Sequence, residues 1–179
     1  PSVPVVCTGS STSIALSSSM PGTSFIWSVI QTGVTGATAG AGPTISQTLS
    51  LTGTSQGTAV YTIVPTANGC TGLPTVVTVT VGPIPTLDTS GIIITSANCN
   101  DSTGSIQGIL FATGTPPFQY EWIDSSGAVA GTNVNLINAS PGTYTLTATD
   151  ANGCLVSSQP YIITSTSLII ASFTADTLS

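Results

Sequence analysis

Lysine, arginine and histidine are all absent from this 179-residue chain, and only six side chains are acidic. Without cations there is no basic patch, which excludes nucleic-acid binding through phosphate neutralisation. Attraction to anionic lipid is excluded for the same reason. No His, Lys or Arg is present to act as base or oxyanion partner for a serine or cysteine nucleophile, so Ser-His and Cys-His catalysis is ruled out for this chain by itself. An intramolecular isopeptide crosslink needs lysine and is equally impossible. Long apolar runs are missing too. None approaches the ~18 residues of a membrane-spanning helix, so no membrane insertion is expected. The chain opens at Pro1 with no signal peptide, and is expected to be a mature product or a fragment.

The acids are Asp88, Asp101, Glu121, Asp124, Asp150 and Asp176, so the first 87 residues carry no charged side chain. Charged residues make up 3% of the chain, against about 25% in an average globular protein. Hydrophobic content is 40%, which separates this composition from disorder, where low hydrophobicity accompanies high net charge. The polar surface must be built from Ser, Thr, Asn, Gln and Gly, with little repulsion to hold copies apart.

One tetrapeptide occurs twice, as Ala67-Asn68-Gly69-Cys70 and Ala151-Asn152-Gly153-Cys154. Asn-Gly is a strong hairpin signal, since both residues tolerate positive φ. Each copy follows a Tyr-bearing strand, Tyr61-Thr62-Ile63-Val64 or Tyr144-Thr145-Leu146-Thr147. The chain therefore reads as two modules, residues 1–82 and 88–164, each closing on one such turn. Gly82-Pro83-Ile84-Pro85 breaks the pattern, and residues 83–87 read as a stiff linker, because proline cannot extend a ladder. In the first module Phe25, Trp27 and Val29 share a face at period two, as Phe118, Tyr120 and Trp122 do in the second. Residues 165–179 resemble the opening of the second module and read as the start of a following one. Short strands, frequent turns and almost no helix signal predict an all-β chain of two tandem immunoglobulin-like β-sandwiches.

Four cysteines fall as one pair per module, which predicts the disulfides Cys7–Cys70 and Cys99–Cys154 and an oxidising compartment. Zinc would need closely spaced cysteines or histidines, and there are none. In immunoglobulin domains a Tyr lies two residues before the second Cys. Here Tyr61 and Tyr144 lie 9 and 10 residues before it, so each bond is expected to staple the first strand to the final hairpin near one end.

Gly114-Thr115-Pro116-Pro117-Phe118-Gln119-Tyr120-Glu121-Trp122 and the run from Pro141 to Cys154 resemble the repeat of the SprB gliding adhesin of Bacteroidota. Val6-Cys7-Thr8-Gly9-Ser10, Pro21 to Trp27 and Thr66 to Gly72 resemble the PKD-like modules that accompany it. The resemblance implies two PKD-like sandwiches in a long extracellular, cell-surface protein exported by the type IX secretion system, with a role in adhesion or gliding. It supplies no catalytic residues. Asp101-Ser102-Thr103 and Asp176-Thr177-Leu178 also look like the O-glycosylation pattern of Bacteroidota, which makes Ser102 and Thr177 candidate glycan sites.

Other constellations carry less. Glu121 and Asp124 are a close acid pair, but Glu121 alternates outward from Trp122 and reads as a solvated strand face. Asp150-Ala151-Asn152-Gly153 resembles a fragment of a calcium loop, yet lacks the later Glu and reads as a plain turn. Trp27 and Trp122 could form a sugar-stacking platform, but their apolar neighbours favour core packing. The expectation is a non-enzymatic stalk or adhesive spacer without a cofactor. Its partners are neighbouring modules of the same chain, surface glycans or other copies of itself. The alternatives are a repeat or subunit of an extracellular filament, and an accessory glycan-binding module of a secreted polysaccharide-degrading enzyme.

Overall fold

The computed structural model describes residues 5–98 and 101–166. Every regular element among them is a β-strand. The chain divides into two compact units. The first comprises Pro1–Asp88, Phe111–Gln119 and Ala148–Val156, and the second comprises Thr89–Leu110, Tyr120–Thr147 and Ser157–Ser179.

The first unit is built on the long strand Gly57–Ala67, in which buried and half-buried residues alternate. Ser24–Thr32 lies antiparallel on one side of it, from Ser24↔Thr66 to Thr32↔Thr58. Thr75–Gly82 lies antiparallel on the other, from Thr75↔Ile63 to Val81↔Gly57. Val6–Cys7 then adds in parallel, with Val6 opposite Val81 and Cys7 opposite Gly82. A second layer is made by Ser10–Ser11, Thr48–Leu51 and Val34–Thr35, with the short ladder of Ile14–Ala15 and Thr44–Ile45. Period-two alternation sends Ala59, Tyr61 and Ile63 inward, where they meet Val77, Val79 and Val81 from the neighbouring strand and Ile45 and Leu49 from the opposite layer. Burying this set supplies the main driving force for the unit, at roughly 25 cal/mol per Å² of apolar surface removed from water.

The second unit has a three-stranded sheet of Ile93–Thr95, Gly104–Gln107 and Leu136–Ala139. Gly142–Thr149 pairs with Tyr161–Ile163. Trp122 is paired opposite Gly131. Tyr144, Leu146, Ile106, Leu136 and Trp122 are buried. Ser165 and Thr166, the first residues of the stretch expected to open a further module, pair in parallel with Ala97 and Asn98.

Both tryptophans are core residues, and they are held alike. The Trp27 indole N–H donates to the Thr38 carbonyl and the Trp122 indole N–H to the Asn133 carbonyl, each at 3.0 Å and each eleven residues on. In the second unit the Tyr144 hydroxyl donates to the Ser140 carbonyl four residues upstream (2.8 Å), a bond of the tyrosine-corner kind known from immunoglobulin-like sandwiches. In the first, the Tyr61 hydroxyl donates instead to Gln47 Oε1 (2.8 Å).

Residues 83–87 are bonded rather than free. Pro85 is buried. The Thr113 hydroxyl donates to the Ile84 carbonyl (2.8 Å), and the Ala112 N–H donates to the Thr86 carbonyl (3.0 Å).

Candidate functional site

The strongest candidate is covalent. Cys7 is bonded to Cys154, which corrects the expected pairs Cys7–Cys70 and Cys99–Cys154. The reason lies in strand register. Cys7 is level with Gly82, one residue past the Val81↔Gly57 pair, whereas Cys70 is level with Ala67. Eleven residue rises separate those levels, about 35 Å at ~3.3 Å per residue, far beyond the ~7 Å that a disulfide can span between Cα atoms. Cys70 is exposed and unbonded. Cys99 lies outside the described residues, as does the candidate glycan site Thr177. Ser102 is exposed, and its hydroxyl is 2.9 Å from that of Ser140.

The two Ala-Asn-Gly-Cys copies fold differently, and this decides which cysteine is bonded. In the first, Asn68 (φ 50°) and Gly69 (φ 75°) form the two-residue loop between the paired Ala67 and Cys70, a type I′ hairpin turn. In the second, Gly153 alone has positive φ (82°), and its N–H donates to the Asp150 carbonyl (3.0 Å), while the Asp150 N–H donates to the Cys154 carbonyl (2.9 Å). That is a type I turn followed by a left-handed glycine. Its organiser is the residue before the repeat, Asp150 in this copy and Thr66 in the other.

Asp150 is 5% exposed, and each of its oxygens is engaged. Oδ1 accepts the N–H groups of Asn152 and Cys154, and Oδ2 accepts that of Thr115, all at 2.9 Å. The Asn152 side-chain amide donates to the Thr115 hydroxyl (2.8 Å), and the Ala151 N–H to the Thr115 carbonyl (2.8 Å). A Cβ on Gly82 would come within 3.2 Å of the Asn152 amide nitrogen, a tight contact that the glycine avoids. The carboxylate thus satisfies three backbone donors and fixes the loop that carries Cys154, itself fully buried. It acts as a clasp on this loop. Among the described residues no cluster of three or more His, Cys, Asp or Glu could hold a metal. The sequence signal for the clasp was present: Asp at the first and Gly at the fourth position of a type I turn.

The remaining candidates resolve separately. Asp124 Oδ1 accepts the Ser126 hydroxyl (2.6 Å), the Ser126 N–H (2.8 Å) and the Ala128 N–H (3.0 Å). The Ser126 hydroxyl, followed by these backbone donors, holds the Asp124 carboxyl below the usual carboxylate range. This is turn chemistry, and it does not pair Asp124 with exposed Glu121 for acid–base work. Trp27 and Trp122 are too buried to form a sugar platform.

These features define an immunoglobulin-like β-sandwich that carries the Cys7–Cys154 disulfide. More particularly, residues 4–85 match the model of the PKD-like domain, so the chain carries a domain of that kind. No curated protein matches the chain.

Proposed function

We propose that this chain is a non-catalytic segment of a long secreted cell-surface adhesin, acting as a stalk or adhesive spacer. The observation that carries the reading is the PKD-like domain at residues 4–85, a kind of module typically extracellular and without catalysis of its own. The Cys7–Cys154 bond is compatible with an oxidising exterior. The resemblance of residues 114–122 and 141–154 to SprB-type repeats extends the proposal to a Bacteroidota surface protein, exported by the type IX system and serving gliding or attachment. Neighbouring modules, surface glycans and further copies are the proposed partners, and Ser102 and Thr177 the proposed O-glycan sites.

A second reading, a repeat or subunit of an extracellular filament, is favoured by one observation. Ile26, Ile30 and Val76 are exposed on the outer face of the first unit's main sheet, in a stretch with no charge to oppose packing. The accessory glycan-binding reading loses its main support, because both tryptophans are buried with their N–H groups bonded. Electron microscopy of the native material tests the proposal. Single slender projections are expected, ordered filaments would establish the second reading, and compact particles free of the cell surface would refute both.

A further inference from the structure

Antiparallel sheets that pack one face on a core commonly turn a polar face to water. The main sheet of the first unit departs from this. Its three long strands, Ser24–Thr32, Gly57–Ala67 and Thr75–Gly82, pair in unbroken register. The alternation that sends Ala59, Tyr61 and Ile63 inward sends Val60, Thr62 and Val64 outward. Across the ladder Ile30 stands opposite Val60, Ile26 opposite Val64, and Val76 opposite Thr62. Ile30 is 72% exposed, Ile26 56% and Val76 51%. Val60 and Val64 are half-buried. These five aliphatic side chains share an outer face whose other positions are all Ser or Thr. Threonine would satisfy strand propensity as well as valine does, so propensity alone does not call for them.

We infer that this face docks on the same face of a second copy of the chain, as a two-fold pair. Charge selects the partner. The face offers no counter-ion, since no charged residue precedes Asp88. A partner that brought Lys, Arg, Asp or Glu against it would bury that charge unpaired. The same face of another copy brings none. Shape agrees with this choice. Sheets of one hand of twist pack face to face at about −30°, as the two layers of a sandwich do. Size sets the strength. The face has thirteen positions, five on each of Ser24–Thr32 and Gly57–Ala67 and three on Thr75–Gly82. Each occupies about 4.8 by 6.7 Å, which gives roughly 420 Å² in projection. Side-chain relief adds to that, so a pair buries on the order of 1,000 Å² in total, the lower end for a specific interface. The dimer is therefore reversible rather than obligate, and an isologous contact of this kind closes at two copies. The inference rests only on the proposed contact with further copies, and a stalk or a filament could use it for lateral pairing.

The test is sedimentation equilibrium of the full chain up to millimolar concentration, with free thiols alkylated so that exposed Cys70 cannot link copies. Wild type should show a reversible monomer–dimer equilibrium that does not weaken at high salt, because no charge holds the contact. Ile30→Glu should raise the dissociation constant at least about tenfold, since pairing would bury an unpaired carboxylate. Val76→Glu, two strands away on the same face, should do the same. Ile93→Glu, at an exposed position of the second unit, should leave the constant unchanged. Fluorescence of buried Trp27 and Trp122 confirms that each variant still folds. A monomeric wild type overturns the inference, while microscopy of the native material still decides the spacer reading. Undiminished dimerisation of Ile30→Glu, or an equal loss in Ile93→Glu, overturns it as well. Species larger than a dimer that vanish with Ile30→Glu would make the contact heterologous and overturn the two-fold pair.

Discussion

Removing the Cys7–Cys154 bond by the double substitution Cys7→Ala with Cys154→Ala should destabilise the first unit heavily. The bond closes a loop with a sequence separation of 147, for which the chain-entropy model gives about 5 kcal/mol of denatured-state entropy. Cys154 is fully buried, so truncating it also removes packing around a loop otherwise held by Asp150. Exposed Cys70 makes the control, since Cys70→Ala should change stability by no more than about 0.5 kcal/mol. Denaturant unfolding of the three proteins measures the difference. The pairing itself is read by cleavage before aspartate, because the chain has no site for trypsin. Cuts before Asp88, Asp101, Asp124 and Asp150 put Cys7 and Cys70 on one peptide, Cys99 on a second and Cys154 on a third. The structure requires the first peptide to stay joined to the third until reduction. A join between the second and third, or a loss below about 1 kcal/mol in the double variant, would refute the reasoning.

Asp150→Ala leaves the N–H groups of Thr115, Asn152 and Cys154 without their acceptor; a loss of about 3 kcal/mol in urea unfolding is expected, at roughly 1 kcal/mol or more for each donor, and a neutral result would contradict the clasp. Stability should be flat from about pH 6 to 9, since no His or Lys titrates. In acid, the depressed Asp124 carboxyl contributes stability that is present above its unfolded pKa and lost as pH falls through the folded value. In alkali, burial pushes the Tyr61 phenol up, so its contribution is complete below the unfolded pKa and lost as pH rises through the folded one; tyrosinate ultraviolet absorbance should appear together with unfolding. Trypsin should leave even the reduced, denatured chain intact, while a chymotrypsin-like protease should cut at Trp27, Tyr61, Trp122 and Tyr144 only after denaturation. Equal cutting of native and denatured protein would refute compact sandwiches.

Much of this architecture is legible in the residues. The period-two runs around Trp27 and Trp122 are strands with the predicted faces inward, because alternation is a local property that tertiary contacts only reinforce. The disulfide was not legible. Two identical tetrapeptides suggested two equivalent cysteines, but turn type depends on the residue before them, and Thr66 cannot do what Asp150 does. The parallel addition of Val6–Cys7 to the last strand of its sheet is a long-range choice that no local pattern announces. It carries Cys7 to the end of the sheet opposite Cys70. Half of the clasp was visible as an Asp-x-x-Gly turn, while its second half, Thr115, lies 35 residues away in sequence.

The most direct test of the proposed role is immunogold electron microscopy of intact, unpermeabilised producing cells, with antibody raised against residues 4–85. The account predicts gold on slender material standing off the cell surface, with labelling undiminished when permeabilisation is omitted. Labelling that appears only after permeabilisation would place the chain inside the cell and contradict the surface role.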